Sequence, residues 1–466
     1  MQYVSTRGQA PALGFCDVVL AGLARDGGLY VPAEWPRFTA EEIHNFGNRP
    51  YQDVALAVIS KFVGDEIDQA DLKTMIKSAY AGFNHPSVTP LVELEPGHFV
   101  LELWHGPTLA FKDVAMQFLA RVIDHILGQR GERATIVGAT SGDTGSAAIE
   151  AFRGRQNTDI FILHPKGRTS EIQRRQMTTV LDDNVFNIAL EGTFDDCQAV
   201  VKAMFNDFAF RDGAKLSGVN SINWGRIAAQ IVYYFTSAVA LGAPHRKITF
   251  VVPTGNFGDI FAGYVAKRMG LPIEKLVIAT NSNDILRRAV KVGRYDKRGV
   301  TQTVSPSMDI EVSSNFERLL FEALDRDGDK TAALFASLAQ SGGFTIPEPA
   351  LDTIREEFGT GMADETATRT IISDVLAHSN YLIDPHTAVG VAVARGFNFG
   401  HTPLVTLSTA HPAKFPETVE AATGRHAELP AHMADLGTRQ ERFTVLANDE
   451  VIVKDYIRAK TRAWED

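Results

Sequence analysis

The chain has 466 residues, 45% of them apolar and 22% charged, which is the balance of an ordinary globular protein with room for two or three domains. A formal net charge of −10 argues against a nucleic-acid or anionic-membrane partner, while leaving room for a local basic pocket. The two cysteines, Cys16 and Cys197, are too few for a disulfide framework and have no metal-ligand spacing, so the expectation is a cytoplasmic protein without a bound metal. The start, Met1 to Arg7, lacks the charged head and apolar run of a signal peptide, and no uninterrupted apolar stretch is long enough to span a membrane.

Residues 1–95 alternate helical patterns with Gly/Pro punctuation. Asp26-Gly27-Gly28 is a turn before a short extended piece, 51–83 has helical periodicity, and 85–90 is a connector. This part reads as a mainly helical N-terminal domain. From about residue 96 the rhythm becomes strand, loop, helix. Short continuous apolar runs at 134–137, 160–163, 185–190, 247–252, 276–279 and 404–407 each end in a loop and are separated by helical patterns. Such runs predict βαβ units and a mostly parallel sheet buried on both faces, so the fold class is α/β. The expected division is an α/β domain over 96–240 and another over 241–466, the latter with a helical insertion near 321–370. Residues 443–466 read as a short extended piece and a charged amphipathic helix with no evident chemistry.

In open sheets of this kind ligands bind beyond the carboxyl ends of the strands, which directs attention to the loops. The first is Trp104 to Leu119, where Gly106 and Pro107 break structure before an apolar helix face formed by Val114, Phe118, Val122 and Ile126. Lys112 stands at or just before the first helical turn. A cation is disfavoured there by the macrodipole, and the same field with an aromatic neighbour, Phe111, favours the neutral amine. A neutral lysine is a nucleophile able to form a Schiff base; a solvated surface lysine is the plainer alternative. The loop Gly138 to Ala148 is glycine-rich, has hydroxyls at Thr140, Ser141 and Thr144, and has neither P-loop nor dinucleotide-fingerprint spacing. Pro253 to Asp259 contains Gly255, Asn256, Phe257 and Gly258 between a strand and a helix, a backbone nest suited to phosphate. Ser408 to Phe415 follows the last strand. Each of these also reads as a tight strand-to-helix turn that needs glycine for geometry alone. Asn220 to Arg226 offers amides, a hydroxyl and a guanidinium for an anion, or else a helix cap. Asp384-Pro385-His386 reads as a cap, and Lys166 and Arg168 as solvated.

Taken together, Pro-Thr-Leu-Ala-Phe-Lys-Asp around Lys112, Ala-Thr-Ser-Gly-Asp-Thr-Gly at 139–145 and Gly-Asn-Phe-Gly-Asp at 255–259 resemble the threonine synthase family. The likeness runs from Tyr3-Val4-Ser5-Thr6-Arg7-Gly8 through Phe194 to Cys197 and Asn220 to Arg226, and on to Ser408 to Phe415. Single motifs are weak, but their co-occurrence in this order is specific, and the chain looks like the longer bacterial and fungal form. The resemblance implies a tryptophan-synthase-β-like (fold type II) architecture with pyridoxal 5'-phosphate (PLP) as cofactor. It implies that Lys112 holds PLP through a Schiff base and shuttles protons. It further implies that Gly255, Asn256, Phe257, Gly258 and Asp259 surround the cofactor phosphate and that Thr409 meets the pyridine nitrogen. Thr140, Ser141 and Thr144 would hold the substrate carboxylate, and Asn220, Ser221 and Arg226 the substrate phosphate. The implied reaction turns O-phospho-L-homoserine and water into L-threonine and phosphate, in a monomer or homodimer, with the domains closing over the site. Shorter plant-like forms have an asparagine at the position of Asp143, so its contact with the cofactor phenolic oxygen is not carried over. The competing readings are a threonine dehydratase, which needs no substrate-phosphate site, and an inactive threonine-synthase-like binding protein, which would show decay at Lys112 or the glycine loops. A Rossmann-type dehydrogenase lacks its fingerprint here.

Overall fold

The computed structural model describes residues 1–464 except Ser141 and Phe399. In chain order its strands are β1 (Tyr3–Ser5), β2 (Tyr30–Pro32), β3 (Leu91–Glu95), β4 (His98–Glu102), β5 (Ala134–Ala139), β6 (Thr158–Pro165), β7 (Val185–Glu191) and β8 (Leu216–Ser217). They continue as β9 (Ile248–Pro253), β10 (Ile273–Thr280), β11 (Arg294–Asp296), β12 (Gly343–Thr345), β13 (Phe358–Met362), β14 (Leu404–Ser408) and β15 (Thr444–Ala447). One sheet has six strands in the order β13-β10-β9-β14-β4-β3, parallel except for the antiparallel pair β3–β4. A second, wholly parallel sheet has the order β15-β7-β6-β5-β8. The fold class is therefore α/β, as expected. β6 and β9 are buried at every position, which is what a strand covered by helices on both faces requires.

The six apolar runs expected as strands all lie in β5, β6, β7, β9, β10 and β14. The expected division of the chain, however, does not follow the sheets. β4, assigned to 96–240, lies between β14 and β3 in the six-stranded sheet, and β15, assigned to 241–466, closes the other sheet beside β7. β3 falls inside 1–95 yet pairs with β4. A parallel sheet accepts strands through long crossovers, so a strand's composition does not record which partner it will find. The insertion near 321–370 also needs correction. The helix Gly328–Ser341 is peripheral, but β13 is an edge strand of the main sheet beside β10. Its sequence, Phe-Gly-Thr-Gly-Met, carries too little apolar bulk to read as a strand.

The N-terminal helices Phe15–Ala21, Ala40–His44, Tyr51–Val63 and Gln69–Tyr80 share one continuous apolar core with the rest of the chain. Trp224, fully buried, is its meeting point, with the rings of Tyr3, Phe62 and Trp35 at 5.7, 5.6 and 6.1 Å. Aromatic pairs at these distances add to plain area burial. The helix Lys112–Arg130 buries Val114, Phe118, Val122 and Ile126 on its expected face and ends at Gly131, whose φ of 67° provides the left-handed cap. The carboxyl ends of β5, β9 and β14 lead to Thr144, to the loop at 254–257 and to Thr409, all of which line one cavity.

Candidate active site

The cavity has a volume of about 440 Å³ and brings together Lys112, Thr144, Asn220, Ser221, Arg226, Gly255, Asn256, Phe257, Gly258, Asp259 and Thr409. Two roomier depressions, of about 740 and 770 Å³, border the N-terminal helices and gather no comparable chemistry. Thr140 is not in the cavity wall. Its hydroxyl accepts the N–H groups of Gly142 and Gly145, both at 3.0 Å, and so shapes the loop. Ser141 lies outside the described residues.

Lys112 is the first residue of its helix and is buried. Its Nζ lies 3.6 Å from Asp143 Oδ2, 3.4 Å from Ser307 Oγ and 4.9 Å from the centre of the Phe111 ring. Burial pushes the amine pKa down, Asp143 opposes that, and Lys414 and Arg226 add to it, so the balance is toward the neutral nucleophile. Asp143 opens the helix Asp143–Phe152, where a carboxylate is favoured by the macrodipole. Its Oδ1 takes Lys414 Nζ at 2.8 Å and Gln173 Nε2 at 3.0 Å, and its Oδ2 takes the Ser307 hydroxyl at 3.0 Å. Burial alone would raise this carboxyl, but Lys414 and Lys112 outweigh it and hold it well below the usual carboxylate range. Lys414 is fully buried and also donates to Thr108 O at 2.8 Å and Gln176 Oε1 at 3.1 Å. Thr108 in turn is tied to Asp113, whose two carboxyl oxygens accept its N–H and hydroxyl at 2.7 Å. Asp113 therefore shapes the loop before Lys112; burial pushes its carboxyl up to about 6 despite those bonds.

At the far end, the loop after β9 runs into the helix Gly258–Arg268. A side chain at Gly255 would meet Ser307 O at 3.1 Å and Met308 Cα at 3.2 Å, so the backbone itself is the wall here. Phe257 sits at φ 65°, a left-handed conformation that costs a phenylalanine about 1–3 kcal/mol. Its ring is held by Phe316 and Phe358 at 5.4 and 5.7 Å. Such a loop points successive N–H groups at one place and forms an anion nest. Arg226, buried one turn into the helix Trp224–Ala240, reaches the same cavity. It donates to Val219 O at 3.3 Å, but its Nε has no partner, and burial pushes its pKa down to about 10. A buried guanidinium with an idle donor is a place for an anion. Asp259 is the exception among the expected phosphate-loop residues. Its Oδ1 accepts the hydroxyls of Tyr233 and Tyr234 and its Oδ2 is unpartnered; burial pushes its carboxyl up to about 7, the tyrosines only partly opposing this.

Four contributors were not legible in the sequence. Ser307 bridges Lys112 and Asp143, and Lys414 pairs with Asp143. Gln173 and Gln176 reach in from the helix Glu171–Thr178. Asp384 does cap its helix, as its spacing predicts, accepting His386 N–H at 2.9 Å and Thr387 N–H at 3.1 Å. Yet His386 also lines the cavity: its Nε2 accepts Ser307 N–H at 3.1 Å and its Nδ1 faces Asp384 at 2.7 Å, which fixes the tautomer. Asp-Pro-His at a helix start was the available signal for that residue.

The chain matches family models in three blocks: threonine synthase N terminus over residues 2–80, pyridoxal-phosphate dependent enzyme over 83–340, and threonine synthase, C-terminal, over 387–457. A threonine synthase of Pseudomonas aeruginosa is 54% identical over 459 residues, covering 98% of both chains. The crystal structure of PLP-bound threonine synthase from Brucella melitensis superposes with a TM-score of 0.98 at 61% identity, covering 99% of this chain and 100% of that one. The yeast threonine synthase structure gives 0.94 at 40% identity over 98% of each.

Proposed function

The chain belongs to the threonine synthase family of PLP-dependent enzymes, and from that premise we propose that it converts O-phospho-L-homoserine and water into L-threonine and phosphate. The observation that carries this reading is one cavity with a buried amine at its centre and two separate sets of anion donors. The residues present fit PLP. Lys112 would hold it through Nζ, Gly255 to Gly258 would take its phosphate, and Thr409 would face its ring nitrogen. The wall at Gly255, which a Cβ would crowd, suits close approach of a phosphate to backbone N–H groups. When bound, PLP supplies an electron sink for negative charge developing beside an amino-acid nitrogen.

The remaining work falls to the chain's own groups. The Lys112 amine, once free, takes and returns protons at the substrate carbons, which needs the neutral form that its burial favours. Ser307, between Lys112 and Asp143, holds the amine in place as its proton comes and goes. Asn220, Ser221 and Arg226 take the substrate phosphate, where the idle Arg226 Nε gains an acceptor. Thr144, with Ser141, takes the substrate carboxylate, because the Thr140 hydroxyl is committed to its own loop. Among the described residues no helix is long and apolar enough to cross a membrane.

Product stoichiometry on O-phospho-L-homoserine with added PLP tests the reading. Phosphate and threonine in a one-to-one ratio are expected. Phosphate accompanied by 2-oxobutyrate and ammonia would leave elimination intact and remove controlled water addition. No phosphate release would overturn the assignment in favour of a dehydratase or a binding protein.

A further inference from the structure

The two anion ends of the cavity meet on a single short segment, Ser313 to Arg318, of which Ser314 itself lines the cavity. The Ser313 hydroxyl donates to Gly255 O at 2.6 Å. Asn315 binds the next carbonyl, Asn256 O, twice: through its backbone N–H at 3.1 Å and its side-chain Nδ2 at 2.9 Å. The same Nδ2 donates to Ser221 O at 3.3 Å, in the other loop. Arg318 donates to Asn315 Oδ1, to Ile222 O at 2.6 Å and to Tyr30 O at 3.0 Å. A guanidinium can only donate, so it fixes which end of the Asn315 amide faces it and leaves Nδ2 for the two carbonyls. Ser313, Asn315 and Arg318 are all fully buried, so these bonds do not compete with solvent.

The consequence follows from peptide geometry. A trans peptide points its N–H opposite its C=O. With Gly255 O, Asn256 O and Ser221 O turned onto this segment, the N–H groups of Asn256, Phe257 and Ile222 are turned away from it, and all three residues line the cavity. The clasp is itself anchored to the chain's N-terminal strands. Beyond the Arg318 bond to Tyr30 on β2, the neighbouring Glu317 takes Arg7 at 3.0 Å and the Thr6 hydroxyl at 2.7 Å.

We propose that Asn315, oriented by Arg318, is a shared positioning residue that sets affinity for the cofactor phosphate and for the substrate phosphate together. This rests on the assignment of the two loops made above, and the test separates the two.

The apo form of the full chain is titrated with PLP and with pyridoxal, which lacks the phosphate, following the absorbance of the Schiff base. Inorganic phosphate is then tested on the holoenzyme as a competitor of O-phospho-L-homoserine, with the nest already filled by cofactor. If the parent chain does not prefer PLP to pyridoxal, the nest assignment itself fails, and the proposal with it. If it does, Asn315→Asp, which keeps the shape and the Arg318 bond but removes both side-chain donors, is expected to weaken PLP about tenfold and to leave pyridoxal unchanged. It also raises the inhibition constant of inorganic phosphate by a similar factor. Equal weakening of PLP and pyridoxal, the mark of general loosening, overturns the proposal, and so does an unmoved phosphate constant. Ser313→Ala removes only the donor to Gly255 and serves if the first variant does not fold. It is expected to lower the PLP-over-pyridoxal preference about threefold while inorganic phosphate inhibition stays at the parent value. An unchanged preference in that variant overturns the clasp.

Discussion

At one end of the cavity Lys112 and Lys414 flank Asp143 at 3.6 and 2.8 Å, with Ser307 and Gln173 filling the remaining acceptor sites. At the other end the donors are backbone N–H groups and Arg226, whose Nε is idle, with the Asp259 Oδ2 unpartnered beside them. The first end is complete in the chain alone; the second is short of an acceptor until an anion arrives. At the first the buried carboxylate is paired with both lysines and hydrogen-bonded; at the second the backbone amides carry only partial charge, and Arg226, among the described residues, is the one full charge still short of a counter-ion. The difference teaches where ligand binding should stabilise the protein and where mutation should destabilise it.

The largest break in that contrast is Lys112→Ala. Turnover should fall by at least about 10³-fold. The protein should still fold, because Asp143 keeps Lys414. A Lys112→Ala enzyme working at the parent rate would remove Lys112 from the chemistry. Next is Asp143→Asn, which leaves the buried Lys414 ammonium and the Lys112 amine without a carboxylate. We expect about 3 kcal/mol of lost stability in urea unfolding. The double variant Asp143→Asn with Lys414→Met should regain part of it, since the charges leave together. A double variant less stable than the single one would show that the lysine end is not a compensated unit.

The anion end should respond in the opposite sense. Arg226→Met is expected to raise KM for O-phospho-L-homoserine about tenfold. Apo stability should hold or rise, because an under-bonded buried guanidinium is removed. A loss of apo stability as large as that of Asp143→Asn would erase the distinction between the ends.

A further contrast is in pH dependence, where the two carboxyl groups differ in sign. Asp143 is depressed in the folded state, so its contribution is present above the unfolded value of 3.8 and is lost as pH falls below it. Asp259 is raised from 3.8 to about 7, so the folded state holds its proton longer than the unfolded state does, and stability declines as pH rises through that window. Asp259→Asn should flatten the decline between pH 4 and 7 in thermal unfolding of the apo protein. An unchanged slope would mean that Asp259 titrates near its ordinary value.

The chain by itself determined the α/β class, because a strand buried on both faces is dominated by apolar residues, as 160–163 and 250–252 are. A lysine at a helix start, Lys112, and glycine-spaced backbone at a strand end, Gly255 to Gly258, were visible in one dimension, while the roles expected of them came from the family resemblance. Only the tertiary structure decided which strands share a sheet: β4 and β15 crossed the expected boundaries because crossover connections leave no local trace. Only it revealed Lys414, whose neighbours Thr108, Asp143 and Gln176 are more than two hundred residues away, and Ser307, set between Lys112 and Asp143. It also showed that Thr140, expected to meet a substrate, spends its hydroxyl on Gly142 and Gly145. Charge compensation and hydrogen-bond commitment are properties of distances between side chains, and those distances exist only once the chain has folded.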